Sequence, residues 1–167
     1  MVNPWLGDAF AHHVWATIRL RDVCRALTAE QIETPIAGTY GSILGTMRHL
    51  VNGDSFYLSV MPGEDTAEVD THQMDLDALR SALAVQGTAW SRLLAQNPDP
   101  DAVLVERDEY QRAAPLSIRL AQALHHGSDH RSQICTALTT LGVEPPDIDV
   151  WEYGVQNGRV VEVIPNS

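Results

Sequence analysis

Between residues 123 and 138 the chain reads ALHHGSDHRSQICTAL, which holds His125, His126 and His130, three of its seven histidines. On a helix, residues four apart lie one turn above the other on the same face. His126 and His130 therefore present two imidazoles in one direction, the arrangement with which a helix grips a metal ion. A third histidine, His49, lies in another helical stretch, flanked at helical spacing by the small residues Thr46 and Gly53. If the two helices face each other, the three rings complete a three-histidine site with the remaining position open to water or substrate. Bundle interiors build metal sites from facing helices in this way. The same pair also reads as two partly solvated histidines without a ligand, and the spacing alone leaves both readings open.

The other histidines divide by position. His125 and Asp129 form an i, i+4 pair pointing away from the apolar stripe, a solvated contact worth a few tenths of a kcal/mol at most. His13 falls on the apolar stripe of the first helix, where a hydrogen-bonded core or cleft histidine is expected. His12 reads either way, and His72 sits in an acidic loop. Asp54 and Arg131 fall near the centres of their apolar stripes. A buried charge needs a partner, so the two are expected to pair across the bundle, one turn beyond the histidines, and to set the register of their helices.

The elements that must carry these residues read as four amphipathic helices. The first runs from about Pro4 to Leu27, with Ala9, His13, Ala16, Leu20, Val23 and Leu27 on one face. Thr28 and Gln31 then resemble a capping box for a short turn that Pro35 stops. The second helix starts near Ser42 and places Ile43, Met47, Leu50 and Tyr57 on one stripe. Pro62 to Gln73 breaks the pattern with Pro, Gly and acidic residues, as a loop able to cover a cleft does. The third helix carries Leu76, Leu79, Leu83, Trp90 and Leu94 after an Asp75 cap. A short alternating stretch at Val103–Val105 predicts a small hairpin. The fourth helix spans about Leu116 to Leu141, with Ser117 or its predecessors as cap and Gly142 as stop. In the tail, Asn157-Gly158 between alternating apolar residues predicts a second hairpin over about 151–164. The fold class expected is all-α: a four-helix bundle with one or two minor β hairpins, in one domain over residues 1–167.

Composition narrows the partners. There are 22 acidic and 11 basic residues, every basic one an arginine, for a net charge of −11. That charge repels phosphate backbones and anionic membranes, so no nucleic acid or membrane partner is expected. No apolar run is long enough to span a bilayer, and the first residues lack a secretory pattern; a cytoplasmic location is expected. Without lysine, no Schiff base forms on this chain. Cys24 and Cys135 stand far apart among apolar neighbours and read as two reduced, buried thiols.

The stretch GSILGTMRHLVNGDSFYL, followed much later by LHHGSDHRSQI, resembles the DinB-like (YfiT-like) superfamily of metal-binding four-helix bundles. The late signature is carried by His126, His130, Arg131, Ser132 and Gln133, with Ser132 where glycine is usual. The early one is carried by Ser42, Ile43, His49 and Leu50, and Trp15 matches the aromatic of the first helix. The resemblance covers roughly residues 5 to 153. It implies that His49, His126 and His130 ligate one divalent metal, zinc or nickel, and that the chain forms homodimers. Similar proteins include thiol S-transferases using bacillithiol or mycothiol, a mycothiol-dependent maleylpyruvate isomerase and hydrolases. The function expected is a metal-dependent enzyme acting on a small molecule, with a low-molecular-weight thiol as co-substrate and Gln133 and His13 as candidates to orient substrate. The alternative is a non-catalytic metal-binding stress-response or sensor module.

Overall fold

The computed structural model describes residues 4–61, 68–105 and 112–161. In chain order the elements are α1 (Pro4–Cys24), α2 (Ala29–Glu33), α3 (Ile43–Ser59), α4 (Leu76–Ala95), β1 (Val103–Val105), β2 (Ala113–Pro115), α5 (Leu116–Thr140) and α6 (Val150–Gln156). The fold is all-α: α1, α3, α4 and α5 form the bundle, in which α1 and α3 each pack against both α4 and α5. The strands make one antiparallel hairpin that pairs Val103 with Pro115 and Val105 with Ala113. Among the described residues no helix is long and apolar enough to cross a membrane.

The helix boundaries follow from side chains that satisfy end groups. Ser42 accepts from the Gly45 N–H and Asp75 from the Ala78 N–H, each relieving an orphan donor at a helix start. Thr28 and Gln31 cap α2 reciprocally, the capping box read from the sequence. Gly142, at φ 75°, ends α5, and the Val143 N–H closes back onto the Leu138 carbonyl. At the start of α5 the cap is Pro115, one of the residues expected just before Ser117, and it offers no side-chain bond. The Leu116 and Ser117 N–H groups instead donate to the Ala102 and Pro100 carbonyls, so the backbone beside the hairpin does the capping.

The tail corrects the second expected hairpin. Residues 150–156 are helical, capped by Asp149, whose side chain accepts from the Glu152 N–H. A type I′ hairpin turn needs positive φ at both central residues, and Asn157 has φ −103°. Asn157-Gly158 serves as a helix stop: Gly158 has φ 67°, and the Arg159 N–H returns to the Gly154 carbonyl. Residues 162–164 of that expectation lie outside the described residues, as do 62–67 of the loop expected over the cleft. Its described part runs along α3, where the Thr71 hydroxyl donates to the Arg48 carbonyl and the Asn52 amide to the Val69 carbonyl.

The core divides in two. At one end Leu20, Ile43, Met47, Leu83, Ile134 and Leu138 pack together; at the other Phe10, Leu58, Trp90, Leu93, Leu116 and Leu120 do. Between these clusters every bundle helix places a buried polar side chain: His13 and Thr17 from α1, Asp54 from α3, Gln86 from α4 and Arg131 from α5. Gln86 satisfies its amide on the Val51 carbonyl at 2.7 Å.

Removing the α4 cap tests how far local end groups support the bundle. Asp75→Ala is expected to lower unfolding free energy by about 1 kcal/mol, with an unchanged urea m-value. A midpoint indistinguishable from wild type would show that packing alone sets this end.

Candidate metal centre

His49 leaves α3 and His126 and His130 leave α5 toward one point between the two helices. One ring nitrogen from each lies within 4.8 Å of the other two. The Nε2 atoms of His49 and His126 are 3.1 Å apart. Two nitrogens bound tetrahedrally to one ion at 2.0–2.1 Å stand about 3.3 Å apart, so this spacing fits a shared cation.

Ring orientation at His130 can be deduced from its neighbours. The Tyr40 backbone N–H lies 2.9 Å from Gln133 Oε1 and must donate to it, which fixes the amide orientation. That same oxygen is 3.1 Å from His130 Nδ1. An oxygen that can only accept forces the proton onto Nδ1 and leaves the Nε2 lone pair for the shared point. Gln133 thus touches a site histidine and the loop before α3. Tyr40 stacks on His49 with centroids 4.0 Å apart and meets His130 edge-on, while Tyr57 meets His126 edge-on.

The electrostatics favour the neutral form of His126 and His49. Burial, reinforced by His130 and then His49, pulls the His126 imidazole down to about 4. Burial and the neighbouring His130 also lower His49. Neutral imidazole is the form that ligates.

Two glycines make the close approach possible. A β-carbon at Gly53 would lie 2.4 Å from His126 Cε1, and one at Gly127 would lie 2.1 Å from His13 Cε1 and 2.8 Å from an Arg131 nitrogen. His13 has no exposed surface. Arg131 NH1 lies 3.0 Å from its Nδ1, and a guanidinium only donates, so Nδ1 accepts and the ring proton sits on Nε2. Nε2–H then donates to Asp54 Oδ2 at 2.7 Å. Arg131 also donates to the His13 carbonyl and the Thr17 hydroxyl. The expected direct pairing of Asp54 with Arg131 is therefore corrected: His13 stands between them, because Gly127 leaves room on α5 for its ring. His13 is the hydrogen-bonded core histidine that the stripe predicts.

The remaining titratable candidates sit elsewhere. His125 and Asp129 form an exposed pair at 3.5 Å, His72 is exposed, and His12 lies 2.8 Å from the Ile148 carbonyl. Both cysteines are free; Cys24 is buried, whereas Cys135 is only half-buried. Burial pushes the Cys24 thiol up to about 12 and raises Cys135, so neither is poised as a thiolate. A cavity of about 480 Å³ lined by Phe10, Val14, Trp15, Trp90 and Tyr153 includes none of the site histidines. Sequence reasoning did not assign Tyr40, Tyr57 or the space at Gly127. A glycine inside a helix, about 1 kcal/mol worse than alanine, was the signal for the last.

The family model described as the DinB family matches residues 1–159. No curated protein matches the chain.

Two outcomes follow from the geometry. Gly127→Ala, which ordinarily stabilises a helix interior by about 0.5–1 kcal/mol, is expected to destabilise this one, since buried His13 and Arg131 must both move; an unchanged or raised urea midpoint would refute the clash. In metal-free protein, an unfolded His126 takes up a proton below its ordinary 6.5 while the folded ring refuses one until about 4. The unfolded state thus binds more protons in that window, and stability falls as pH drops through it. Urea midpoints measured with chelator from about pH 7 to about pH 4.5 should show this slope, and His126→Gln should flatten it.

Proposed function

The chain belongs to the DinB family, and from that premise we propose that His49, His126 and His130 hold one divalent metal ion, zinc or nickel, in an enzyme acting on a small molecule. The observation that supports this most directly is the convergence of three ring nitrogens within 4.8 Å. The donor set suits the ion: three neutral imidazoles, with His130 turned by Gln133 so that Nε2 faces the shared point. A divalent ion held this way supplies Lewis acidity and lowers the pKa of a water or thiol in its open position.

The chain's own residues contribute position and exclusion. Gln133 and the Tyr40 backbone set one ligand ring, and Gly53 lets His126 lie against α3. Tyr40, 56% exposed, covers His49 from the solvent side and gives an incoming molecule an aromatic surface. His13 is too deep to touch a substrate, so its part in the site is to position α5. With both cysteine thiols held up by burial, the nucleophile of an S-transfer comes from a low-molecular-weight thiol such as mycothiol or bacillithiol. Its sulfur gives up its proton to solvent and forms a C–S bond to an electrophilic carbon of the second substrate, whose bond to the leaving group breaks with the electron pair, so that a chloroarene releases chloride. The net charge of −11 disfavours nucleic acid as a partner. A homodimer is part of the same proposal; Trp5 on α1 and Trp151 on α6, 65% and 74% exposed, are apolar surface that such an interface would cover.

Metal analysis and turnover test the proposal together. Protein loaded with zinc or nickel and desalted should retain about one ion per chain. His49→Ala and His126→Ala should each lose it while keeping the helical circular dichroism of wild type. Loaded protein is then assayed on a chloro-dinitroarene with mycothiol, bacillithiol, glutathione and cysteine, and on an activated ester. Metal uptake without turnover on any pair would replace the enzyme with a non-catalytic metal-binding module. No retained metal would remove the reading entirely.

A further inference from the structure

We infer that Asp54 is the carboxylate behind the metal centre, its Oδ1 receiving the Nδ1–H of His126 while its Oδ2 receives the Nε2–H of His13, so that one buried side chain orients two histidines. The inference rests on the three-histidine metal reading above.

The support begins with two unmatched atoms. Asp54 is fully buried, and Oδ1 has no hydrogen-bond partner although Oδ2 is taken by His13. His126 Nδ1 is likewise buried and without a partner. An unpaired buried polar atom is destabilising, more so when charged, so two such atoms need a reason. Their chemistries are complementary. A carboxylate oxygen only accepts. When Nε2 of His126 faces a cation, the ring proton must sit on Nδ1, which then only donates.

The backbone places them as neighbours. Gly53 immediately precedes Asp54, and a β-carbon there would meet His126 Cε1 first, with Nδ1 and Nε2 both at 3.1 Å, so the ring turns its nitrogen-bearing edge toward α3 one residue from the aspartate. The charge of Asp54 acts on His126 and opposes the lowering caused by burial. From the other side, His13 passes into the space at Gly127, next in sequence to His126, to reach the same carboxylate. Oδ2 is held by a ring that Arg131 clamps at its far nitrogen, which leaves Oδ1 for His126. The two atoms form no direct hydrogen bond in this arrangement. The terminal torsion of histidine is soft, so a turn of the ring as the histidines close on an ion would carry Nδ1–H toward Oδ1. Metal-bound histidines generally donate their second nitrogen to such an acceptor, which fixes the tautomer and strengthens the ligand.

The test compares wild type with Asp54→Asn. An asparagine can still accept from His13, but its amide then faces His126 with a donor. Zinc affinity is measured by competition with a chromophoric chelator, and ring protons by long-range proton–nitrogen NMR of zinc-loaded protein. The variant should bind zinc about 10- to 100-fold more weakly. In wild type His126 should carry a slowly exchanging Nδ1 proton, lost or shifted in Asp54→Asn. The Nδ1 proton of His130, held by Gln133, should stay unchanged; loosening of the whole site would move both. Wild-type zinc binding with equal affinity and an unchanged His126 signal in the variant would overturn the inference alone. Failure of wild type to bind zinc would instead overturn the metal reading. If the variant does not fold, the wild-type spectrum decides: coordination of His126 through Nδ1, or an Nδ1 proton exchanging as fast as that of exposed His125, refutes the role of Asp54.

Discussion

His13 has no contact with solvent, a carboxylate on one nitrogen and a guanidinium on the other. Those three residues come from α1, α3 and α5, and each satisfies the others where the alternative is an uncompensated charge in an apolar interior. Breaking such a buried arrangement by removing one partner costs about 3–5 kcal/mol, whereas an exposed pair such as His125–Asp129 contributes a few tenths at most. The polar layer therefore acts less as a source of stability than as a specification of which helix faces which. Apolar packing above and below it tolerates rotation and sliding by small rearrangements; a guanidinium reaching for one ring nitrogen does not. Burial draws the Arg131 guanidinium down to about 10, against the opposing pull of Asp54, which leaves it a cation at neutral pH.

The three site histidines depend on that specification. His126 and His130 flank the turn that contains Gly127 and lies against His13, and His49 is five residues from Asp54 on α3. A shift of α5 along α3 by one residue, about 1.5 Å, would displace His126 and His130 relative to His49 and Arg131 relative to His13 together. Gly53 and Gly127 are the points of closest approach, where even one methyl group collides with a ring. The helix-propensity cost of both glycines, about 1 kcal/mol each, is the price of bringing the backbones close enough for the rings to converge.

What the sequence reveals depends on how local the information is. The histidine pair on α5 is legible because i, i+4 spacing is a property of one helix, and His49 is legible because the family signature supplies the second helix. The bundle and most helix starts follow from 3.6-residue periodicity and from Ser42, Thr28 and Asp75, which act within four residues of themselves. Asn157-Gly158 is ambiguous locally: the pair suits a tight hairpin and a helix stop equally, and Asp149, eight residues upstream, decides for the helix. The demand for a partner at Asp54 and Arg131 is visible as two charges on apolar stripes. Which partner each finds is not, since it turns on three helices meeting and on a missing side chain at Gly127. Gln133 is visible as a polar residue near the ligands, but its task is set by the backbone of Tyr40, ninety-three positions away.

Placement on the shoulder of the bundle also limits what such a centre can do on the proposed reading. His130 is buried and His49 and His126 are half-buried, so water is thinned from the helix side while the opposite side opens between α3 and α5. Tyr40 and Tyr57 stand over the rings there, and the Tyr57 hydroxyl takes a hydrogen bond from the Gln122 amide at 3.4 Å. A cation in this position would meet neutral nitrogen on the protein side and aromatic faces toward solvent, keeping its charge for whatever occupies the open position. Because none of the three histidines is anionic, the carboxylate whose charge acts on the site, at His126, is that of Asp54 in the polar layer. The same group that sets the helix register then sets the electrostatics of the site, and the two functions cannot be varied independently in this fold.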